Sequence, residues 1–599
     1  MAQRWQPVAV REEPAHPQDP GRAVSGSMWS RPVFAALLVA LVLGAHAVPG
    51  RWPTWSDDEV AILLQAGQLC GQQGDLTLSG YPYDLGWTLA LIPAWFLGDA
   101  PFGVYYWALG TTVAAGAALV WPLRRIAMSV GAGPATATWV AAVIAILPAR
   151  TVYSSYALLE NFLTLIVAWV AVAGIRYARR PGTGSALLLA AAISAAALTH
   201  QRMVGLVAAT CAWLTWSLLR RTPGAGAGLV TMALGSLGAV AANRAMADAL
   251  YHDGGRNRQG RILEIVGEFD VGAAITILTG QLWYHAVAAF GLTVIGAVAG
   301  LRIVARQARE RPVVLGPAAW WLTATLASML VATTWVIGIL SDENRFDLYM
   351  YGRYAAPTVL PVTVVGLATV VRLGASRVSR VSAVSLLALA AVVVANQLIT
   401  RPAMAGRPSG QIMNFPGLLA WGWPSYRTAP APPGWAPSLL AVAVLCSLWW
   451  VLGQYGAARW DERQATRRVL AALAALAVLL GAVGQARGVV PFSAGWRKGC
   501  TLNDVAARVG ATEVTYETTD ENAIGYKMTA LCLAPAGLPR ANAAQDPIEG
   551  FLVARPDWPG ARELGAIKIA DDGFLREALY VLPGEQMSRL QAEGELPGR

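Results

Sequence analysis

The amino-acid sequence predicts an all-α polytopic membrane protein with a small C-terminal α/β domain. Three observations lead there: a composition too apolar for a soluble globule, about thirteen apolar segments of spanning length, and arginines that return in every second connection. The chain has 599 residues, is 55% hydrophobic and 14% charged, and has a mean hydropathy of +0.45. Soluble domains carry roughly 25% charged residues, so a soluble enzyme is excluded. The formal charge of +10 does not mark a nucleic-acid partner, because the basic residues are dispersed between apolar runs and form no single cluster. Lysine is confined to Lys498, Lys527 and Lys568, and the remaining positive charge is arginine.

A spanning helix needs ~20 largely apolar residues. The segments that meet this are 33–49, 103–123, 134–150, 156–175, 185–200, 203–219, 227–247, 283–304, 315–340, 355–373, 381–399, 437–453 and 469–489. Arginine in short connections marks the cytoplasmic side of a membrane protein. Arg4, Arg11, Arg22 and Arg31 precede the first segment. Arg124/Arg125, Arg176/Arg179/Arg180, Arg220/Arg221, Arg302/Arg306/Arg309/Arg311, Arg372/Arg377/Arg380 and Arg459/Arg463/Arg467/Arg468 each follow an even-numbered one. The expected organisation is a cytoplasmic tail over 1–32, a transmembrane domain over 33–489 and an extracytoplasmic domain over 490–599. The expected location is the bacterial cytoplasmic membrane, in keeping with a composition rich in Ala, Gly and Arg. Parity also decides Leu85–Gly98: as a span it would move Arg124 and Arg125 outside, so it is read as a short helix in the outer interface. Ala45-His46-Ala47 imitates a signal-peptide cleavage site, but the polar stretch before it is long for that, and the first helix is expected to be retained.

On this topology the outer connections 50–102, 248–282, 341–354 and 400–436 are long and chemically varied. The first opens with Trp55-Ser56-Asp57-Asp58-Glu59 ahead of a helix-like stretch. Three carboxylates there can cap a helix and suit its dipole. They can equally supply a base or a metal ligand, because partial desolvation beside hydrocarbon raises carboxylate basicity. Tyr81-Pro82-Tyr83-Asp84 follows, and Tyr81, Tyr83, Trp87 and Trp95 are either interfacial aromatics or stacking surfaces for a sugar ring. Glu160 opens the fourth span with no cation near it in sequence, so it is either a favourable helix start or a functional acid. His200 and Arg202 lie in the turn 199–202, where Arg202 is one of the few outer cations. Arg353 stands at the start of a helix, where its charge opposes the dipole; a salt bridge to Asp347 or another acid explains it, and so does a bound phosphate. Arg256, Arg258 and Arg261 form a second outer basic patch. No internal repeat is visible, which weighs against inverted-repeat transporters.

The tail alternates strand-like runs (513–516, 551–554, 579–582) with helix-like ones (503–509, 587–591). Cys500 and Cys532 fall within it and are expected to form a disulfide if the domain is extracytoplasmic. Asp520-Glu521-Asn522 is read as a solvated loop. Cys211 and Cys446, inside apolar runs, are expected to be core residues, and no zinc spacing occurs.

The pattern of one span, an outer Asp-Glu pair, a Tyr-Pro-containing interfacial helix, a second acid after the third span and a late Arg-Tyr resembles the GT-C superfamily of membrane glycosyltransferases. That superfamily includes protein mannosyltransferases, lipid A aminoarabinose transferases and actinobacterial mannosyl- and arabinosyltransferases. The resemblance is clearest over 33–222 and weaker over 341–373. It implies Asp58 as the catalytic base, with Asp57 the alternative by one register, Glu160 as the second acid, and Arg353-Tyr354 as the late pair. Glu59, Tyr81, Tyr83, His200, Arg202, Arg353 and Tyr354 are the expected substrate contacts. Tyr81-Pro82-Tyr83 lacks the Lys or His that some subfamilies carry beside the proline, and Arg202 is the candidate to replace it. The implied reaction is inverting transfer of a sugar from a polyprenyl-phosphate donor to a cell-envelope glycan, lipid or protein on the outer face. A divalent cation held by carboxylates is an alternative to arginine for stabilising the leaving phosphate. A transporter or flippase of lipid-linked saccharides and a non-catalytic cell-envelope scaffold are the competing readings.

Overall fold

We describe a computed structural model of the chain over residues 31–50, 57–72, 82–98, 102–251, 269–310, 316–340, 345–372, 375–407, 412–421, 435–450, 462–490, 500–518, 523–533, 538–573 and 575–596. Helix α1 (Pro32–Ala47) opens on a proline, whose missing N–H costs nothing in a first turn. Helix α2 (Asp57–Leu69) opens on carboxylates favoured by the helix dipole and stops at Gly71, whose φ of 87° is left-handed. Next come α3 (Leu85–Leu97), α4 (Phe102–Ala118), α5 (Val120–Ser129), α6 (Pro134–Ala145) and the short α7 (Pro148–Tyr153). Helix α8 (Glu160–Arg179) has an acid in its first turn and Arg176 and Arg179 in its last, the charge order the dipole favours. The bundle continues with α9 (Thr183–Thr199), α10 (Val204–Leu219), α11 (Ala225–Leu250), α12 (Val271–Ala288), α13 (Leu292–Glu310), α14 (Pro317–Leu340) and α15 (Gly352–Arg372). It closes with α16 (Ala375–Ala395), α17 (Ala436–Ser447) and α18 (Glu462–Gly484).

Among the described residues, 8 helical stretches are long and apolar enough to cross a membrane, and shorter apolar helices such as α1, α6 and α9 accompany them. They fall on the apolar segments of the sequence, and the chain is a multi-pass membrane protein. One segment differs. Residues 283–304 do not form one straight span: α12 and α13 are bent by 107°. The break is local, because Phe290 (φ 56°) and Gly291 (φ 81°) are both left-handed and a right-handed helix cannot pass through them. The connection expected over 248–282 is shortened, since α11 runs to Leu250 and α12 begins at Val271. Cys211 is exposed and Cys446 half-buried, so neither is the core residue expected: each sits on a helix face turned outward. Trp87 is fully buried and donates to the Ala157 carbonyl at 3.2 Å, an interior role in place of an interfacial one. The patch of Arg256, Arg258 and Arg261 and the run Asp520-Glu521-Asn522 lie outside the described residues.

Close helix packing in the bundle relies on small residues, because lipid supplies no hydrophobic drive between helices. At Gly296 on α13 an added Cβ would stand 1.9 Å from the Val362 carbonyl oxygen, and at Gly366 on α15 it would stand 2.0 Å from that of Leu292. The two backbones therefore meet in direct contact, which fixes α15 and the arginine at its start.

The C-terminal region contains α19 (Thr501–Arg508), β1 (Val514–Glu517), α20 (Ala523–Leu533), β2 (Arg540–Ala541), β3 (Phe551–Ala554), β4 (Ile567–Asp572), β5 (Glu577–Val581) and α21 (Glu585–Ala592). Its sheet has the order β2-β1-β3-β5-β4, with β1 parallel to β2 and β3, and β5 antiparallel to β3 and β4. The Cys500–Cys532 disulfide forms, joining the start of α19 to α20 with a Cα–Cα distance of 5.5 Å. Helix α20 faces two ways. Tyr526, Ala530 and Leu533 belong to the small domain's own core, whereas Met528 and Leu531 pack into the core of the helical bundle. Leu64 of α2 rests against the small domain, so this domain buttresses the helix that carries Asp58.

Candidate active site

Four charged side chains from four helix starts converge at one end of the bundle. Glu160, the first residue of α8, is 1% exposed and receives guanidinium hydrogen bonds on both oxygens. Arg202 Nη2 donates to Oε2, and Arg353 Nε donates to Oε1. Arg202 Nη1 adds a longer bond to Oε1 at 3.4 Å. Arg353, from the first turn of α15, also turns Nη1 to Asp58 Oδ2 at 2.7 Å. The chain of charges therefore reads Asp58–Arg353–Glu160–Arg202. Ions this deep persist only when paired and hydrogen-bonded, and a guanidinium that serves two carboxylates does both. Asp347, one acid considered for Arg353, instead faces Arg345 at 3.2 Å.

Asp58 is the accessible member. Its side chain is 32% exposed, against 6% for Arg353, 2% for Arg202 and 1% for Glu160. Tyr83 OH donates to Asp58 Oδ1 at 2.9 Å, on the oxygen opposite the one that Arg353 holds. Tyr83 is itself held. The buried Gln65 amide donates to the Tyr83 carbonyl at 2.9 Å and accepts from its N–H at 2.8 Å, a two-point clamp from α2. Tyr251 OH adds a bond to Gln65 Oε1 at 3.0 Å.

The turn after α9 fixes Arg202. His200 Nδ1 accepts from the Arg202 backbone N–H at 3.1 Å, so its role is to shape the turn and the guanidinium goes elsewhere. Asp84 accepts from the Gln201 N–H and from Asn243, each at 2.9 Å, and lies 3.6 Å from His200. The Tyr354 ring sits 5.0 Å from the Arg202 guanidinium and 5.7 Å edge-on from His200. Cation–π contact of this kind favours a desolvated arginine.

Glu59, expected as a substrate contact, is fully buried and belongs to the scaffold. It accepts from Tyr105 OH at 3.0 Å and from the Ala157 N–H at 2.6 Å, tying α2 to the turn before α8. The side chain of Asp57, and Tyr81 altogether, lie outside the described residues. Sequence reading missed Gln65, Arg150 and Met413. Arg150, 2% exposed, donates to Thr164 at 2.7 Å and to Asn161 at 3.4 Å and lies over the Tyr153 ring at 4.9 Å, with no carboxylate partner among the described residues. Its signal was available, since it is an arginine at the end of the bundle that the arginine alternation leaves poor in cations. Met413 Sδ lies 3.1 Å from Arg353 Nη1; nothing in its local sequence marks it.

Among the described residues the donor set does not fit a divalent cation, since no group of three or more His, Cys, Asp or Glu side chains could hold one. Asp58 and Glu160 both face Arg353.

No protein-family model matches the chain, and no curated protein matches it in sequence. Two crystal structures of ArnT from Cupriavidus metallidurans are similar to it, one bound to undecaprenyl phosphate and one in the apo state. Identities are 14% and 16% and TM-scores 0.47 and 0.48, over 92% of this chain and 97% of that one. The cryo-EM structure of the arabinosyltransferase EmbB from Mycobacterium smegmatis is also similar, at 15% identity and a TM-score of 0.41, over 90% of this chain and 45% of that one.

Proposed function

We propose that the chain is an inverting glycosyltransferase that moves a sugar from a polyprenyl-phosphate donor to a hydroxyl of a cell-envelope glycan, lipid or protein on the outer face of the membrane. The observation that supports this reading most is the Asp58–Arg353 pair: an accessible carboxylate oriented by a buried guanidinium. Asp58 accepts the proton of the acceptor hydroxyl, and the acceptor oxygen attacks the anomeric carbon opposite the phosphate. The bond from the anomeric carbon to the phosphate oxygen breaks, and its electron pair leaves with the polyprenyl phosphate. That phosphate is a weak base, so it needs charge stabilisation more than a proton, and Arg353 and Arg202 are the cations at hand. Glu160, with both oxygens taken and almost no exposure, is a positioning residue that holds the two guanidiniums side by side. Tyr83 orients Asp58, Tyr354 and His200 fix Arg202, and Arg150 adds a buried positive charge behind Asn161.

The test is incubation of the full-length protein in lipid nanodiscs with labelled polyprenyl-phosphate sugars and envelope acceptors. Free polyprenyl phosphate should appear together with a glycosylated product of inverted anomeric configuration. Movement of intact donor across the membrane with no cleavage would support the transporter reading instead. A product of retained configuration would overturn inversion.

A further inference from the structure

Helices α8 and α15 each carry a site charge at one end and wall a second feature at the other. A cavity of about 380 Å³ lies among α5, α8, α13, α14 and α15. Val365 stands ~18 Å along α15 from Arg353, and Arg179 ~28 Å along α8 from Glu160, at a rise of about 1.5 Å per residue. The cavity is therefore remote from the Asp58 cluster, at the arginine-rich end of the bundle. Its volume falls in the range of ligand pockets, roughly 300–1,000 Å³. Trp320, Trp321, Pro361 and Val362 give it an apolar wall, while Arg179 and Gln307 stand on its lining as polar groups.

Two observations say what would fill it. The first is charge. Arg176, Arg179 and Arg309 stand in the last turns of two lining helices. The nearby acid Glu310 is paired with Arg306 at 2.7 Å, so the rim carries an excess of positive charge. The second is the wall itself: Trp320, Trp321, Pro361 and Val362 present an apolar surface that suits an acyl chain. An apolar wall with arginine at its rim matches an anionic lipid.

We propose that this cavity binds an anionic glycerophospholipid of the surrounding leaflet, of the phosphatidylglycerol type. One acyl chain lies against Trp320, Trp321 and Pro361, and the phosphate pairs with Arg179. The attraction of juxtamembrane arginines for anionic lipid supplies the selectivity.

The test uses the full chain in nanodiscs whose phosphatidylglycerol carries a photoactivatable diazirine in one acyl chain, with labelled peptides mapped by mass spectrometry. Label is expected on residues 296–303 and 317–322. Val365→Trp, which fills the cavity, should lower that label at least about fivefold. Label on the exposed face of α11 (Leu234, Leu237) should stay unchanged, which reports on folding as well. Arg179→Gln, which removes the rim charge and the bond from Arg179 Nη2 to the Ser129 carbonyl, should lower it about threefold or more with phosphatidylglycerol. With a phosphatidylcholine probe, label there should be weak in wild type and indifferent to Arg179→Gln. Equal labelling by the two lipids would overturn the anionic assignment. Lining label that survives Val365→Trp undiminished would overturn the site.

Discussion

Arg353 Nη1 lies 2.7 Å from Asp58 Oδ2 although the two residues are 295 apart in sequence. Through Nε the same guanidinium reaches Glu160. One arginine thus joins the start of α2, the start of α8 and the start of α15, and the orientation of Asp58 depends on all three.

Arg353→Lys should remove this junction without removing the charge, since a single ammonium cannot reproduce a planar fork held between two carboxylates. Transfer should fall about 100-fold, as for loss of one charge-stabilising donor, with donor KM rising and acceptor KM holding. Steady-state kinetics with each substrate varied in turn checks this; a donor KM equal to that of wild type contradicts it.

Glu160→Gln leaves two buried guanidiniums facing an uncharged amide. Breaking a buried pair by removing one partner costs about 3–5 kcal/mol, so the thermal midpoint should drop. Combining it with Arg202→Gln should cost less than the sum of the two single changes, by about 0.5–3 kcal/mol. Additive losses would show that the contact does not couple the residues.

Gln65→Leu should act through Tyr83. The clamp it makes on the Tyr83 backbone is lost, at a cost of about 1–3 kcal/mol for the groups left unpaired. If Tyr83 orients Asp58, transfer should fall in Gln65→Leu and in Tyr83→Phe, and the double variant should be little worse than either. Full activity in Tyr83→Phe would remove Tyr83 from the site.

These charges were legible in the sequence for a physical reason. Low overall charge and arginines alternating from side to side made Asp58, Glu160, Arg202 and Arg353 conspicuous as exceptions. Their convergence was not legible, because nothing local to Arg353 records an acid 295 residues away. The apolar segments were found because hydrocarbon demands continuous hydrophobicity, but the 107° bend within 283–304 was not. It depends on a left-handed Phe290, and phenylalanine gives no local warning of that conformation. Glu59 was misassigned because three adjacent carboxylates look alike until helical geometry sends Glu59 inward to Tyr105 and leaves Asp58 exposed. Gln65 was missed because it sits in an apolar stretch whose period describes only the core, and Arg150 because it was counted as the last residue of the apolar segment 134–150.

The disulfide is open to a direct check. Cys500 and Cys532 are separated by 32 residues, and a crosslink closing a loop of that size contributes about 3–4 kcal/mol to the small domain in the chain-entropy picture. A thiol-reactive probe should label neither residue before reduction and both after it, and reduction should lower the domain's melting temperature. Labelling of both without reduction contradicts the pairing.

The measurement that bears most directly on the proposed function is sugar transfer from a labelled polyprenyl-phosphate donor by Asp58→Asn compared with wild type at matched expression. Asparagine keeps the shape and an acceptor for Arg353 but cannot take up the proton of the acceptor hydroxyl. Transfer is expected to fall by about 100-fold or more, the usual contribution of a general base, while donor binding persists. Transfer at the wild-type rate in Asp58→Asn would contradict the assignment of Asp58 as the base.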